Sequence, residues 1–139
     1  MNRSDFQKLT EIRMKEAKVL LSNACFEGAY YLAGYAVECA IKACVAKKTQ
    51  IHDFPPEWQV VRNCYTHDIT SLAKLADLEL ELKSQEEAVV QFKLNWAIVK
   101  DWSERKRYET QIDSNRARDL YRAISHYRNG VLPWLKKYW

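Results

Sequence analysis

Apolar residues recur at helical spacing along most of the chain. Near the N-terminus, five apolar residues follow this period of three to four residues, which indicates an amphipathic helix. They are Phe6, Leu9, Ile12, Val19 and Leu20. Ser4, followed three places on by Gln7, has the sequence of a capping box. We therefore expect a first helix from about residue 5 to the low twenties. A turn between Asn23 and Gly28 follows, with a single bent helix as the alternative.

The next segment, FEGAYYLAGYAVECAIKACVAKK, is apolar around nearly its whole circumference. Such a pattern is typical of a helix buried on most sides, and its many alanines would let neighbouring helices approach closely. Glu38 and Lys42 interrupt the pattern as an i, i+4 pair with the acid first, which is the favoured order. Burying charged side chains on a helix is costly, so the two residues either neutralise each other or serve a function that offsets the cost.

Residues 49–67 contain two adjacent prolines and show no period, which predicts one long loop. Asp68 is placed to cap a third helix, and Ser84 with Glu87 resembles a capping box that opens a fourth. The apolar positions of these two helices are Leu72, Leu75 and Leu78, then Val89, Phe92, Trp96 and Val99.

The last forty residues end in one more amphipathic pattern, capped by Asp113 or Ser114. Gly130 and Pro133 fall within it and predict a kink or break near residue 130. Glycine and proline number only three each, so tight turns between strands are poorly supported. The sequence predicts one all-α domain over residues 1–139, an antiparallel bundle of four to five helices.

Composition narrows the class further. No run of 18 apolar residues occurs, and the N-terminus lacks the order of a signal peptide, which predicts a soluble, cytoplasmic protein without a membrane partner. The four cysteines show no C-x-x-C pair and sit mostly among apolar residues. We expect free core thiols and neither a bound metal nor a cofactor.

Positive charge is concentrated at one end of the chain. Residues 1–99 hold 12 Lys and Arg against 13 Asp and Glu, whereas residues 100–139 hold 10 against 5. Clustered positive charge suits a phosphate-bearing partner such as RNA or a nucleotide, although a solvated basic helix has the same composition.

Several stretches in this order resemble the HEPN domain family: AYYLAGYAVECAIKACVAKK, a loop ending in THDI, an RYE segment, and a terminal helix ending in WLKK. The resemblance spans nearly the whole chain, and YYLAGYAVECAIKA is its most specific part. It implies an antiparallel helical bundle that usually forms a homodimer. It also implies a toxin–antitoxin setting with a nucleotidyltransferase partner chain. Many members are metal-independent ribonucleases, and others bind nucleotides or proteins without catalysis.

The ribonuclease members carry an arginine, four to six intervening residues and a histidine, often with a polar residue after the arginine. Arg62, Asn63 and His67 fit that spacing. Histidine can move the proton of the RNA 2′-hydroxyl near neutral pH, while arginine holds the phosphate, so no metal is required. The alternatives are a structural role for His67 as a cap of the third helix and binding without cleavage.

The basic C-terminal part offers a second set of candidates. Three residues, Arg118, Arg122 and His126, are spaced to share one polar stripe of the last helix. Only three residues separate Arg122 from His126, one fewer than the ribonuclease motif has. Arg105, Arg107 and Tyr108 mix cations with an aromatic ring, which suits single-stranded RNA.

The stripe of the last helix and the Arg105–Tyr108 segment also fit an ordinary solvated surface. The leading interpretation is a module that binds RNA, a nucleotide or a nucleotidyltransferase partner. A metal-independent ribonuclease and a non-catalytic structural subunit are the alternatives.

Overall fold

The computed structural model describes residues 1–49 and 58–139, and these form eight α-helices, one 3-10 helix and no strand. The α-helices are α1 Arg3–Ser22, α2 Phe26–Lys48, α3 Trp58–Asn63, α4 Ile69–Leu75, α5 Glu79–Ala88, α6 Val90–Lys100, α7 Ser114–Ser125 and α8 Val131–Leu135. The 3-10 helix spans Glu104–Tyr108. The all-α class is confirmed, but the helices are shorter and more numerous than the four to five predicted.

The two longest helices, α1 and α2, form an antiparallel hairpin. Ala24 has φ 59° in the turn between them, and this left-handed residue reverses the chain within a few positions. The hydroxyl of Thr10 donates to the carbonyl oxygen of Ala36 at 3.4 Å. The turn lies where the sequence predicts it, and Gly28 falls inside α2 instead of bending the chain.

Two predicted capping boxes are wrong. Helix α1 begins at Arg3, two residues earlier than expected, because the Asn2 side chain accepts from the Asp5 backbone N–H while the Asp5 carboxylate accepts from the Asn2 N–H. Ser84 and Glu87 lie inside α5, which starts at Glu79. Helix α6 follows one extended residue, Val89, which has no side-chain cap bond.

The segment before α4 is less of a loop than predicted. Trp58–Asn63 form the short helix α3, whereas residues 50–57, including both prolines of the predicted loop, lie outside the described residues. The Asp68 cap is confirmed, since its carboxylate accepts from the Ser71 N–H at 2.6 Å. Helix α4 then ends in a turn in which Asp77 has φ 58°.

The predicted final helix is broken in two. The Asp113 side chain caps α7 by accepting from the Arg116 N–H, and the helix ends at Ser125, followed by His126 with φ −53° and ψ 128°. Gly130 precedes α8. A Cβ on Gly130 would lie 2.5 Å from the His126 carbonyl oxygen, so the tight turn between the helices needs glycine there. The break near residue 130 is confirmed.

Helix α2 is the centre of the fold. It contacts α1, α4, α7, α8 and the 3-10 helix, and 13 of its residues are buried. The indole ring of Trp102 lies directly on Gly34, where a Cβ would come within 2.2 Å of the Trp102 Nε1 atom. Glycine at this position therefore sets how closely the segment after α6 approaches the central helix.

All four thiols are free, but only Cys39 and Cys44 are core residues. Cys25 is exposed just before α2, so the expectation of a core thiol is wrong for it, whereas Cys64 is half-buried against the edge of the core. No helix among the described residues has the length and apolar character needed to cross a membrane.

Replacing Gly34 by alanine tests the contact with Trp102. The added methyl group overlaps an indole ring that is itself buried, so we expect Gly34→Ala to lower the free energy of unfolding by about 2–3 kcal/mol. Gly28→Ala is the matched control, because its Cβ meets the end of the flexible Leu20 side chain at 3.1 Å. That control should change stability by less than about 1 kcal/mol in urea titrations. Equal losses in both variants would contradict the assignment.

Candidate functional site

Glu38 is the charged side chain that α2 carries into the core, and it is 1% exposed. Its Oε1 atom accepts from Lys42 Nζ at 2.9 Å and lies 2.9 Å from His67 Nδ1. Lys42 comes one turn later on the same helix, as the i, i+4 spacing predicts. His67 comes from the link between α3 and α4 and closes the other side of the carboxylate.

His67 does not cap α4, which takes its cap from Asp68. Its ring instead lies between two carboxylates, with Nδ1 facing Glu38 and Nε2 3.2 Å from Glu104 Oε2. Glu104 opens the 3-10 helix, so one half-exposed imidazole joins three segments that are far apart in the chain. We refer to Glu38, Lys42, His67 and Glu104 as the His67 cluster.

The protonation of His67 determines how many of these contacts are hydrogen bonds. A neutral imidazole donates from one nitrogen only, whereas the protonated ring donates from both. Because both carboxylates are acceptors, a neutral ring can satisfy only one of them. The buried Glu38 contact favours the Nδ1–H form and leaves Nε2 as the nitrogen able to accept a proton. A buried carboxylate that orients a histidine in this way is also found in proton-transfer sites.

Arg62 and Asn63 are placed differently from His67. Arg62 is exposed in the last turn of α3, and its guanidinium makes no hydrogen bond or ion pair with His67 or another described residue. Asn63 accepts from Gln59 Nε2 at 3.0 Å and lines a shallow surface cavity with Thr66 and Lys74. The three motif residues therefore occur in one short segment without forming a hydrogen-bonded group.

The 3-10 helix places two cations and one aromatic ring at the surface. The Arg107 guanidinium lies 4.9 Å from the centre of the Tyr108 ring, and that tyrosine is 72% exposed. Arg105 is exposed beside them. Neither arginine forms an ion pair with a residue that the structure describes, so both guanidinium groups are available to an anion.

The neighbouring cations Lys106 and Arg116 share one carboxylate. Glu109 accepts from Lys106 Nζ at 2.7 Å and from Arg116 Nη1 at 2.8 Å. These hydrogen bonds, the one from Lys106 first, lower the pKa of the Glu109 carboxyl. Arg116 also lies 4.9 Å from the centre of the Tyr30 ring. The basic segment thus has two parts. Lys106 is paired with Glu109, whereas Arg105 and Arg107 form a free half without an ion pair to a described residue. The sequence RKRYE alone does not distinguish them.

Helix α7 keeps only part of the predicted basic stripe. Arg118 donates to the Ser114 hydroxyl at 2.7 Å and lies over the Phe26 ring, while Arg122 is exposed. His126 is the first residue after α7, and its Nδ1 atom accepts the backbone N–H groups of Arg128 and Asn129 in the turn that follows. The structure places His126 in that turn, so the stripe of three is reduced to two arginines.

Acidic residues limit the basic surface on one side of α7. A cavity of about 540 Å³ between α6 and α7 is lined by Asp101, Asp113 and Asp119 together with Tyr30 and Arg116. Three carboxylates repel a phosphate backbone. The 3-10 helix is therefore the part of the C-terminal region that best suits an anionic ligand.

Cys39 adds no nucleophile to the His67 cluster, although it neighbours Glu38 in α2. Burial raises the pKa of its thiol to about 11, and the nearby Glu38 carboxylate acts in the same direction. The thiol is therefore protonated at neutral pH and unreactive.

Sequence reasoning found Glu38, Lys42 and His67 but not their meeting point, and it did not single out Glu104. Comparison of the chain with models of known protein families, with curated proteins and with solved structures finds no match.

Paired Glu-to-Gln variants test how the His67 cluster is supported. Glu38→Gln removes the buried charge that holds Lys42 and His67, so we expect a loss of about 1–3 kcal/mol in the free energy of unfolding. Glu104→Gln removes the other carboxylate that faces His67, but Glu104 is 35% exposed. Its loss should stay below about 1 kcal/mol. Urea titration of both variants distinguishes them, and a larger loss for Glu104→Gln would contradict the model of Glu38 as the anchor.

Proposed function

We propose that the chain is an HEPN-like protein that binds RNA or a nucleotide through its 3-10 helix. The observation that carries the proposal is the free half of the basic segment. Arg105 and Arg107 are exposed and unneutralised by described residues, and Arg107 lies against the exposed Tyr108 ring. The resemblance to HEPN proteins supplies the family, and the surface chemistry supplies the ligand class.

The physical basis is the combination of cation and ring. Guanidinium groups bind phosphate oxygens in a planar, bidentate geometry. An exposed tyrosine can stack on any base, and such stacking contributes about 1–3 kcal/mol per base in single-stranded complexes. Neither contact reads sequence, so we expect binding to short single-stranded RNA with weak sequence preference and strong dependence on salt.

Fluorescence anisotropy with a labelled oligouridine tests this binding. The double variant Arg105→Gln/Arg107→Gln should bind at least about tenfold more weakly. It should also reduce the slope of log K against log salt by about 1.4, because two phosphate contacts are lost. The matched control is Lys15→Gln/Lys18→Gln, which removes the same charge from exposed positions of α1.

The aromatic contact has its own control. Tyr127 is 75% exposed and lies under the Arg128 guanidinium at 5.3 Å, so it reproduces the Tyr108 arrangement on another surface. Tyr108→Ala should weaken RNA binding while Tyr127→Ala should not. Unchanged affinity in both the arginine and the Tyr108 variants would refute the proposal.

A metal-independent ribonuclease is the second candidate, favoured by the contact between His67 and the buried Glu38. In this function Glu38 is a positioning residue that holds Nδ1, and Nε2 moves the proton of the 2′-hydroxyl. Glu104 faces Nε2 in the structure and must move aside for RNA to reach it. Arg62 on α3 and Arg107 beside Glu104 are the candidate phosphate clamps.

Cleavage of a single-stranded RNA in EDTA tests the ribonuclease. His67→Ala should abolish cleavage with the helical circular dichroism spectrum retained, as expected for loss of the proton-transfer group. Glu38→Gln should lower kcat and shift the pH dependence of the rate, whereas Arg62→Ala tests the phosphate clamp. If His67→Ala cleaves as fast as the unaltered chain, the ribonuclease hypothesis fails while the binding proposal stands.

A homodimer and a nucleotidyltransferase partner belong to the same proposal through the HEPN resemblance. A feature of α6 supports self-association: Val90, Leu94 and Ile98 form an exposed apolar stripe. Lys93 and Asp101 lie on the same face, four positions before and after the small Ala97. Two copies packed antiparallel across Ala97 would place each Lys93 opposite the partner's Asp101.

A further inference from the structure

A second basic site lies at the opposite end of α2 from the α1–α2 turn. A cavity of about 250 Å³ is lined by Cys44, Ala76, Leu78 and Tyr138 and by three lysines, Lys47, Lys48 and Lys137. The lysines come from two segments, the last turn of α2 and the chain just after α8. We refer to this space as the lysine cavity.

Only part of this positive charge is neutralised nearby. Lys48 Nζ lies 3.0 Å from Asp77 Oδ2, and that carboxylate is largely exposed. Lys47 and Lys137 form no ion pair with the residues that the structure describes. The C-terminal end of α2 contributes partial negative charge of about half an elementary unit. Counting only the residues that the structure describes, three ammonium groups against Asp77 and that helix end leave the lysine cavity net positive.

The Cys44 thiol beside the cavity lies near the same lysines. Burial raises the pKa of Cys44 to about 11, while Lys47 is the first of the neighbouring groups that act in the opposite direction, with Arg3 and Lys48 after it. Cations stabilise a thiolate only when they lie near it. The lysines therefore lie beside a largely apolar inner surface of the cavity, which is formed by Ala76, Leu78 and the 1% exposed Cys44.

We propose that the lysine cavity binds a small phosphate-bearing molecule of mononucleotide size or smaller. The phosphate is held between Lys47 at the end of α2 and Lys137 just after α8, neither of which forms an ion pair with a described residue. The body of the ligand rests on Leu78 and the Tyr138 ring. At about 250 Å³ the cavity is slightly smaller than the roughly 300 Å³ at which ordinary ligand pockets begin, so it suits only a small ligand.

Amide NMR of the 139-residue chain tests the site with two probes, adenosine 5′-monophosphate and adenosine. We expect the monophosphate to shift the backbone signals around Lys47, Leu78 and Lys137 saturably, and adenosine to bind at least about tenfold more weakly because it lacks the charge. Lys47→Gln/Lys137→Gln should weaken monophosphate binding by at least about tenfold. Lys15→Gln/Lys18→Gln is the control of equal charge and should bind as the unaltered chain does.

Three results would overturn the proposal. They are absence of saturable shifts at about 10 mM monophosphate, equal weakening by both double variants, and equal affinity for adenosine. Shifts confined to residues around Arg105 and Tyr108 would assign the ligand to the 3-10 helix and would equally reject the lysine cavity. Because the two sites share no residue, failure here leaves the RNA-binding proposal untouched.

Discussion

The burial of α2 on nearly every side is the constraint on which the rest of the structure depends. A helix can be surrounded so closely only where its residues are small, and the indole of Trp102 resting on Gly34 is the tightest of these contacts. That contact fixes the end of α6 and the 3-10 helix after it against the central helix. The positions of Glu104, Arg105 and Arg107 relative to α2 follow from it.

The same burial means that the Glu38 carboxylate in the interior of α2 carries a desolvation cost in free energy. Glu38 Oε1 is compensated by Lys42 and His67, while Glu38 Oε2 and Trp102 Nε1 have no hydrogen-bond partner among the described residues. A buried charge with incomplete pairing costs stability. An apolar residue would pack there with less penalty, so Glu38 contributes by orienting Lys42 and His67 more than by adding net stability.

Local chemistry was readable from the sequence and long-range contacts were not. The buried character of α2, the Asp68 and Asp113 caps, and the Glu38–Lys42 pair all depend on residues within one turn of each other. The approach of His67 to Glu38 spans 29 residues, and no period or motif encodes it. Asn2 displaced the predicted Ser4 cap because two equivalent boxes overlap there, and Val89 divided a helix without any glycine or proline. The sequence shows three consecutive cations at residues 105–107, but it does not show that Lys106 is paired with Glu109 while Arg105 and Arg107 are not.

The His67 cluster draws on α2, the α3–α4 link and the 3-10 helix, and this dispersal has a consequence for folding. The α1–α2 hairpin closes a short loop and can form early, since local contacts require little loss of chain entropy. Glu38, His67 and Glu104 meet only after two much longer loops have closed. Partial opening of the segment after α6 would therefore remove Glu104 from the cluster while the central hairpin and the Glu38–His67 contact persist. The environment of His67 should then report on the completeness of folding.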